Sequence, residues 1–147
     1  MISFLILSST TLIAQPDLNQ QKMQQQMQQM QQVQQQMSQL MERTQAMNQE
    51  MNRRMQQLQN ESMMNQFQMM HRFNEQMHMT LGTIKNAAER CNLMLQDREM
   101  MKDQTMKRDM DQLREHIRSM SSQMGEAVQT MERLTKRLYQ QVPETGQ

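Results

Sequence analysis

The sequence predicts an all-α protein built from elongated, coiled-coil-type helices, and three observations carry that expectation. Between Met106 and Leu138 apolar residues recur at alternating steps of four and three: Met106, Met110, Leu113, Ile117, Met120, Met124, Ala127, Met131, Leu134 and Leu138. A period of 3.5 keeps these side chains on one slowly drifting helix face, and burying that face requires a second helix. Between Pro16 and Pro143 there is no proline, and the only glycines are Gly82 and Gly125, too few turn residues for a β or mixed domain. Methionine supplies 23 of the 147 residues and glutamine about 30, both side chains that lose little rotamer freedom on a helix. Three Phe, one Tyr and no Trp leave few large, rigid fillers for a compact globular core.

The chain opens on a short apolar run, Ile2 to Ala14, followed by Gln15 and Pro16 where the composition changes. This has the form of the apolar region and small-residue cleavage site of a secretory signal peptide over residues 1–14, although no Lys or Arg precedes it. A run this short falls below the ~20 residues that a spanning helix needs. The mature chain is therefore expected near Gln15, exported to a periplasmic or secreted location, with no stable membrane span after cleavage.

A first Met/Gln-rich helix is expected over 15–58, with Asp17 and Gln20 placed for a capping box. Its seam reads Met23, Met27, Met30, Gln34, Met37, Met41, Thr44, Asn48, Met51, Met55 and Leu58, with Val33, Leu40 and Met47 widening one flank. The polar members weaken packing, although a buried Asn can fix helix register. A low-complexity tract would not hold the three-four spacing over five heptads, so the Gln-rich stretch reads as helix.

The second segment, 63–95, carries Met63, Phe67, Met70, Asn74, Met77, Leu81, Ile84, Ala88, Cys91 and Leu95 on its seam. The third, 106–138, is the most regular, and 139–147 forms a C-terminal tail. The five-residue step from Leu58 to Met63 fits no continuous coiled coil, so a turn is expected at 59–62, with an Asn to end one helix and Ser62 to cap the next. The eleven-residue step from Leu95 to Met106 equals a heptad plus a stutter, which lets one helix continue with local unwinding. Two architectures satisfy this pattern. One is an antiparallel hairpin or three-helix bundle ~50–60 Å long, and the other a self-associating rod of up to ~180 Å.

The formal net charge is +1, with both signs interspersed and no polybasic block, so nucleic acid is not an expected partner. Cys91 is the only cysteine and lies on the seam, where it reads as a small buried hydrophobe or, in a parallel dimer, as an intermolecular bridge. Nucleophilic catalysis needs a nucleophile, a base and a donor-lined pocket, and neither Cys91 nor His116 has such companions in sequence. No glycine-rich phosphate loop occurs. An enzyme is not expected.

Binding is. A Met-built seam adapts to irregular partners, as Met-rich grooves do elsewhere. The expected partners are other copies of the chain or another helical protein, engaged through Met106, Met110, Leu113, Ile117, Met120, Met124, Met131, Leu134 and Leu138. Such a role resembles that of small periplasmic helical chaperones of the Spy and CpxP type. The resemblance is one of role: their LTxxQ motif is missing, since Leu134-Thr135 is followed three residues later by Leu138.

The competing expectation is copper(I), a soft ion that thioethers select. Met69, His71, His78 and Met79 are the candidate ligands, because Met69 and Met79 lie off the seam where packing does not require them. Against one shared ion, His71 and His78 are seven residues apart, or ~10 Å along a helix. Glu75, four residues after His71, also suits a helix-surface ion pair.

Overall fold

A computed structural model describes residues 18–141, which form three long helices joined by two short links. Helix α1 spans Leu18–Met55, α2 spans Glu61–Gln96 and α3 spans Gln104–Gln140, and a single 3₁₀ turn, Met100–Lys102, lies in the second link. No strand occurs among the described residues. The expected signal peptide, 1–14, the Asp17 cap and most of the C-terminal tail lie outside them. None of the described helices is long and apolar enough to cross a membrane.

The helices fold back on one another as a bundle, not as a rod. Thr44 of α1 meets His78 of α2, and Asn48, one turn further along α1, meets Asn74, one turn earlier on α2, so those two helices run antiparallel. Lys22 and Arg43 of α1 pair with Asp111 and Glu132 of α3, so α1 and α3 run parallel with a constant offset. The outcome is an up-down-up three-helix bundle of 38, 36 and 37 residues, each helix ~55 Å long at 1.5 Å per residue.

Local chemistry sets the breaks. At the first, Asn60 rather than Ser62 is the cap, its Oδ1 accepting from the Met63 backbone N–H at 3.0 Å. At the second, the helix ends instead of continuing through a stutter. Asp97 accepts from the Glu99 and Met100 backbone N–H groups at 2.9 and 3.2 Å, and Asp103 caps α3 by accepting from Met106 N–H at 2.9 Å. Each carboxylate satisfies backbone donors that a continuous helix would otherwise bond internally.

The main core joins Met30, Val33, Met37 and Leu40 of α1 to the Met77–Leu95 face of α2 and to Met110, Ile117, Val128 and Met131 of α3. A smaller cluster of Met51, Phe67 and Leu138 closes one end. Methionine does fill this core, since Met30, Met37 and Met51 are completely buried, each burial stabilising by roughly 1.5–3 kcal/mol. Between the two clusters in sequence order on each helix come Thr44, Asn74 and Thr135, all buried.

On α2 the buried face follows the seam read from sequence. On α1 it centres one row over: Val33 and Leu40 are buried, while Met27, Gln34, Met41, Asn48 and Met55 are half-buried. A helix touching two neighbours needs a stripe wider than a two-stranded seam, and the flanking row becomes its middle.

Candidate functional site

Helix α3 departs furthest from its own pattern. Met110, Ile117, Met131 and Leu138 are buried and Met124 and Ala127 half-buried, but Met106, Leu113, Met120 and Leu134 remain 37, 40, 42 and 47% exposed. These four belong to one heptad row, at steps of seven, seven and fourteen residues, with half-buried Ala127 at the position between the last two. In their place the helix buries Ser121, Gly125 and Thr135, and half-buries Arg114. The ten-residue stripe is therefore split lengthwise, one row facing the core and the other facing out.

Close approach to α1 explains the choice. Ser121 Oγ donates to Gln36 Oε1 at 3.0 Å, and a Cβ on Gly125 would already touch Gln36 and Leu40 at 3.6 and 3.9 Å. Arg43 of α1 grips Glu132 with two bonds, Nε to Oε1 at 2.7 Å and Nη2 to Oε2 at 2.6 Å. Small and polar side chains let α3 lie against the Gln-rich face of α1, and that contact fixes its rotation. The Arg43 guanidinium beside Glu132 has its pKa raised by that hydrogen bond.

The exposed row consequently faces the α2 side. Phe67 of α2 stacks on Tyr139 of α3 with ring centroids 5.7 Å apart, which sets the antiparallel register of the pair. At that register Phe73 lies level with Leu134, Ala87 with Met120 and Met94 with Leu113. Phe73 is 55% exposed and Ala87 and Met94 are half-buried. By this register and heptad spacing, Phe73, Ala87 and Met94 of α2, with exposed Thr80 between the first two, fall beside the α3 row and make the flank between α2 and α3 largely apolar.

The other two flanks are polar. Between α1 and α3 run the Lys22–Asp111 and Arg43–Glu132 ion pairs, and one groove between α1 and α2 is lined by Gln31, Gln34, Gln35, Ser38, Gln39 and Lys85. Among the described residues, Met69, Met79 and Leu93 of α2 are also exposed, but the α3 row is the longest series of large apolar groups at heptad spacing left at the surface. Sequence periodicity found that row but could not tell it from core, and Phe73 was missed because it lies off the α2 seam.

The candidate copper ligands are not drawn together as a set. His71, His78 and Met79 line one groove between α1 and α2 with Glu75, and Met69 does not line it. His71 Nδ1 lies 3.6 Å from Glu75 Oε2, and His78 Nδ1 lies 2.9 Å from Thr44 Oγ1. Thr44 Oγ1 also lies 2.8 Å from the Met41 carbonyl, so one hydroxyl engages both groups and ties His78 to the α1 backbone. Met69 and Met79 are 65 and 63% exposed. Among the described residues, no three His, Cys, Asp or Glu side chains form a metal-holding group.

Cys91 is buried, and burial pushes its thiol pKa up against an opposing effect of the Arg114 charge. A thiol so placed behaves as a small hydrophobe, and an intermolecular bridge through it would require the bundle to open. Comparison with known protein families, with curated proteins and with solved structures finds no match to this chain.

Proposed function

We propose that this protein is a non-enzymatic binding protein that engages apolar helical partners through the flank between α2 and α3. The observation that carries the reading is the exposed row Met106, Leu113, Met120 and Leu134 on a helix that buries serine, glycine and threonine instead. Leaving four large apolar groups in water while burying small polar ones costs free energy unless a partner covers the row. Methionines at two of its positions adapt the surface to partners of irregular shape. The apolar run before Gln15 supports export to a periplasmic or secreted site.

The reading is tested by aggregation of an unfolding client protein, followed by light scattering with and without the purified chain. Suppression by the parent chain, lost in Leu113→Glu/Leu134→Glu at unchanged helicity, is the expected result. Equal suppression by both chains contradicts it. Running the assay beside a Cu(I) titration separates the copper reading, which requires that replacing Met69, His71, His78 and Met79 abolish tight metal binding.

A further inference from the structure

The geometry points to a second copy of this chain as the occupant of the α2/α3 flank, laid antiparallel with α3 against α3 about a two-fold axis near Gln123. This inference rests on the reading of that flank as a binding surface and names its partner. The row itself supplies the symmetry. Leu113 and Leu134, and likewise Met120 and Ala127, lie at equal distances on either side of a point between Gln123 and Met124. An antiparallel copy therefore sets the large Met120 against the partner's Ala127, and Leu113 against the partner's Leu134 beside its Phe73. Large against small is the arrangement that fills a helix interface without voids. A parallel copy would set Met120 on Met120 and leave the alanines facing a gap.

Charge favours the same orientation. Along the outer edge of the row Asp109 stands near one end and Arg137 near the other, both exposed and neither ion-paired among the described residues. Antiparallel pairing brings each Asp109 toward the partner's Arg137, whereas parallel pairing sets like charges side by side. With a formal charge of only +1, two copies do not repel strongly.

Size and backbone chemistry agree. From Asp109 to Arg137 the strip runs ~42 Å and is two helices, or ~20 Å, wide, which offers roughly 800 Å² per protomer, the area of a standard stable interface. A helix flank presents no unpaired backbone N–H or C=O groups, so it suits an occupant whose own backbone is already bonded. Helix α3 of a second copy is such an occupant and has the length of the strip.

Sedimentation equilibrium of the purified chain from 1 to ~100 μM, a range that spans ordinary dimer affinities, is the first arm. The expected species has twice the 17.7 kDa chain mass, and Leu113→Glu/Leu134→Glu weakens association by ~100-fold or more with helicity unchanged. In the second arm, mild oxidation cross-links Gln123→Cys, near the axis, but not Thr105→Cys, far from it. Cross-linking at both positions means parallel pairing and overturns the proposal. So does a dimer indifferent to the glutamates. A monomer at every concentration whose client binding still depends on Leu113 and Leu134 overturns the second copy while leaving the binding reading standing. A monomer with neither property removes both.

Discussion

Asn74 on α2 donates from Nδ2 to the backbone carbonyl of Thr44 on α1 at 2.6 Å, and to Asn48 Oδ1 at 2.8 Å, within a core otherwise built mainly from Met, Leu, Ile and Phe. Asn74 is completely buried, so sliding either helix by a turn would strand a polar amide among apolar groups. The pair pins the register of α1 against α2. Replacing Asn74 with Ala, which removes the bonds and leaves a void, is expected to lower stability by about 2–3 kcal/mol in urea unfolding. Replacing it with Leu is expected to hold or raise the unfolding midpoint. The cost of Leu falls on specificity, read with cysteines introduced one on α1 and one on α2, which then cross-link at more than one register.

Tyr139 gives the bundle a spectroscopic reporter, because it is the only tyrosine and no tryptophan is present. Burial, assisted by the nearby Glu50 carboxylate, raises its phenol pKa to about 12, against the opposing charges of Arg54 and Arg53. The Arg54 guanidinium lies 4.1 Å from the ring centroid. A raised folded-state pKa contributes stability that is complete below the unfolded value near 10 and is lost as pH rises through 12. Phenolate absorbance should therefore titrate near 12 in the native protein and near 10 in urea. A native titration near 10 would place the ring in water.

The acid limb has a different origin. Hydrogen bonds from Arg53 and then Arg54 hold the Glu50 carboxyl down to about 2. A depressed folded-state pKa contributes stability above the ordinary value of 4.5, and that contribution is lost as pH falls toward 2. Glu50→Gln should lower Tm slightly at neutral pH and leave it unchanged near pH 2, which flattens the fall over this window, the effect being small because the cluster is partly exposed.

Arg43 and Glu132 bridge α1 and α3 by a two-pronged contact at 2.7 and 2.6 Å. Both side chains are partly exposed, so the pair should contribute less than about 1 kcal/mol. Arg43→Lys, which has no planar fork, is expected to lose most of that contribution in a double-mutant cycle with Glu132→Gln. A coupling near zero for the parent pair would mean that other contacts set the rotation of α3.

How far the sequence could be read differs from helix to helix, for physical reasons. The α2 seam was legible throughout, because the same face packs against both neighbours and every seam residue from Phe67 to Leu95 is buried or half-buried. The all-helical class was equally plain from the missing proline and glycine. In α3 the periodicity of large side chains marks an apolar row but carries no information about close approach, which selects small residues. Ser121 and Gly125 therefore went unnoticed, although they decide which row is buried. The link at 97–103 was hidden for a related reason: seam spacing permitted a stutter, and the signal that ends the helix is the pair Asp97 and Asp103 capping backbone donors. The copper candidates were chosen for lying off the seam. That criterion selects exposure, and Met69 and Met79 are exposed without meeting.

Neighbouring α3 positions should respond very differently to truncation. Ile117 is buried and Met120 is 42% exposed. At submicromolar concentration, where association is weak, Ile117→Ala is expected to cost about 2–4 kcal/mol in unfolding free energy and Met120→Ala less than about 0.5. Equal costs would mean that both rows are core and that α3 is rotated from the position described.

The most direct measurement uses the methionines themselves. Peroxide oxidation followed by peptide mass spectrometry reads each thioether's access to solvent, and Met37, Met69 and Met120 form an internal series of buried, exposed and flank positions. In dilute protein Met120 should react far faster than Met37 and somewhat more slowly than Met69. As concentration rises, or when a binding partner is added, Met120 should become protected while Met69 keeps its rate. Met120 as resistant as Met37 at every dilution would make it core, and Met120 reacting at one unprotected rate under all conditions would show that nothing covers the flank; either result contradicts a binding surface there.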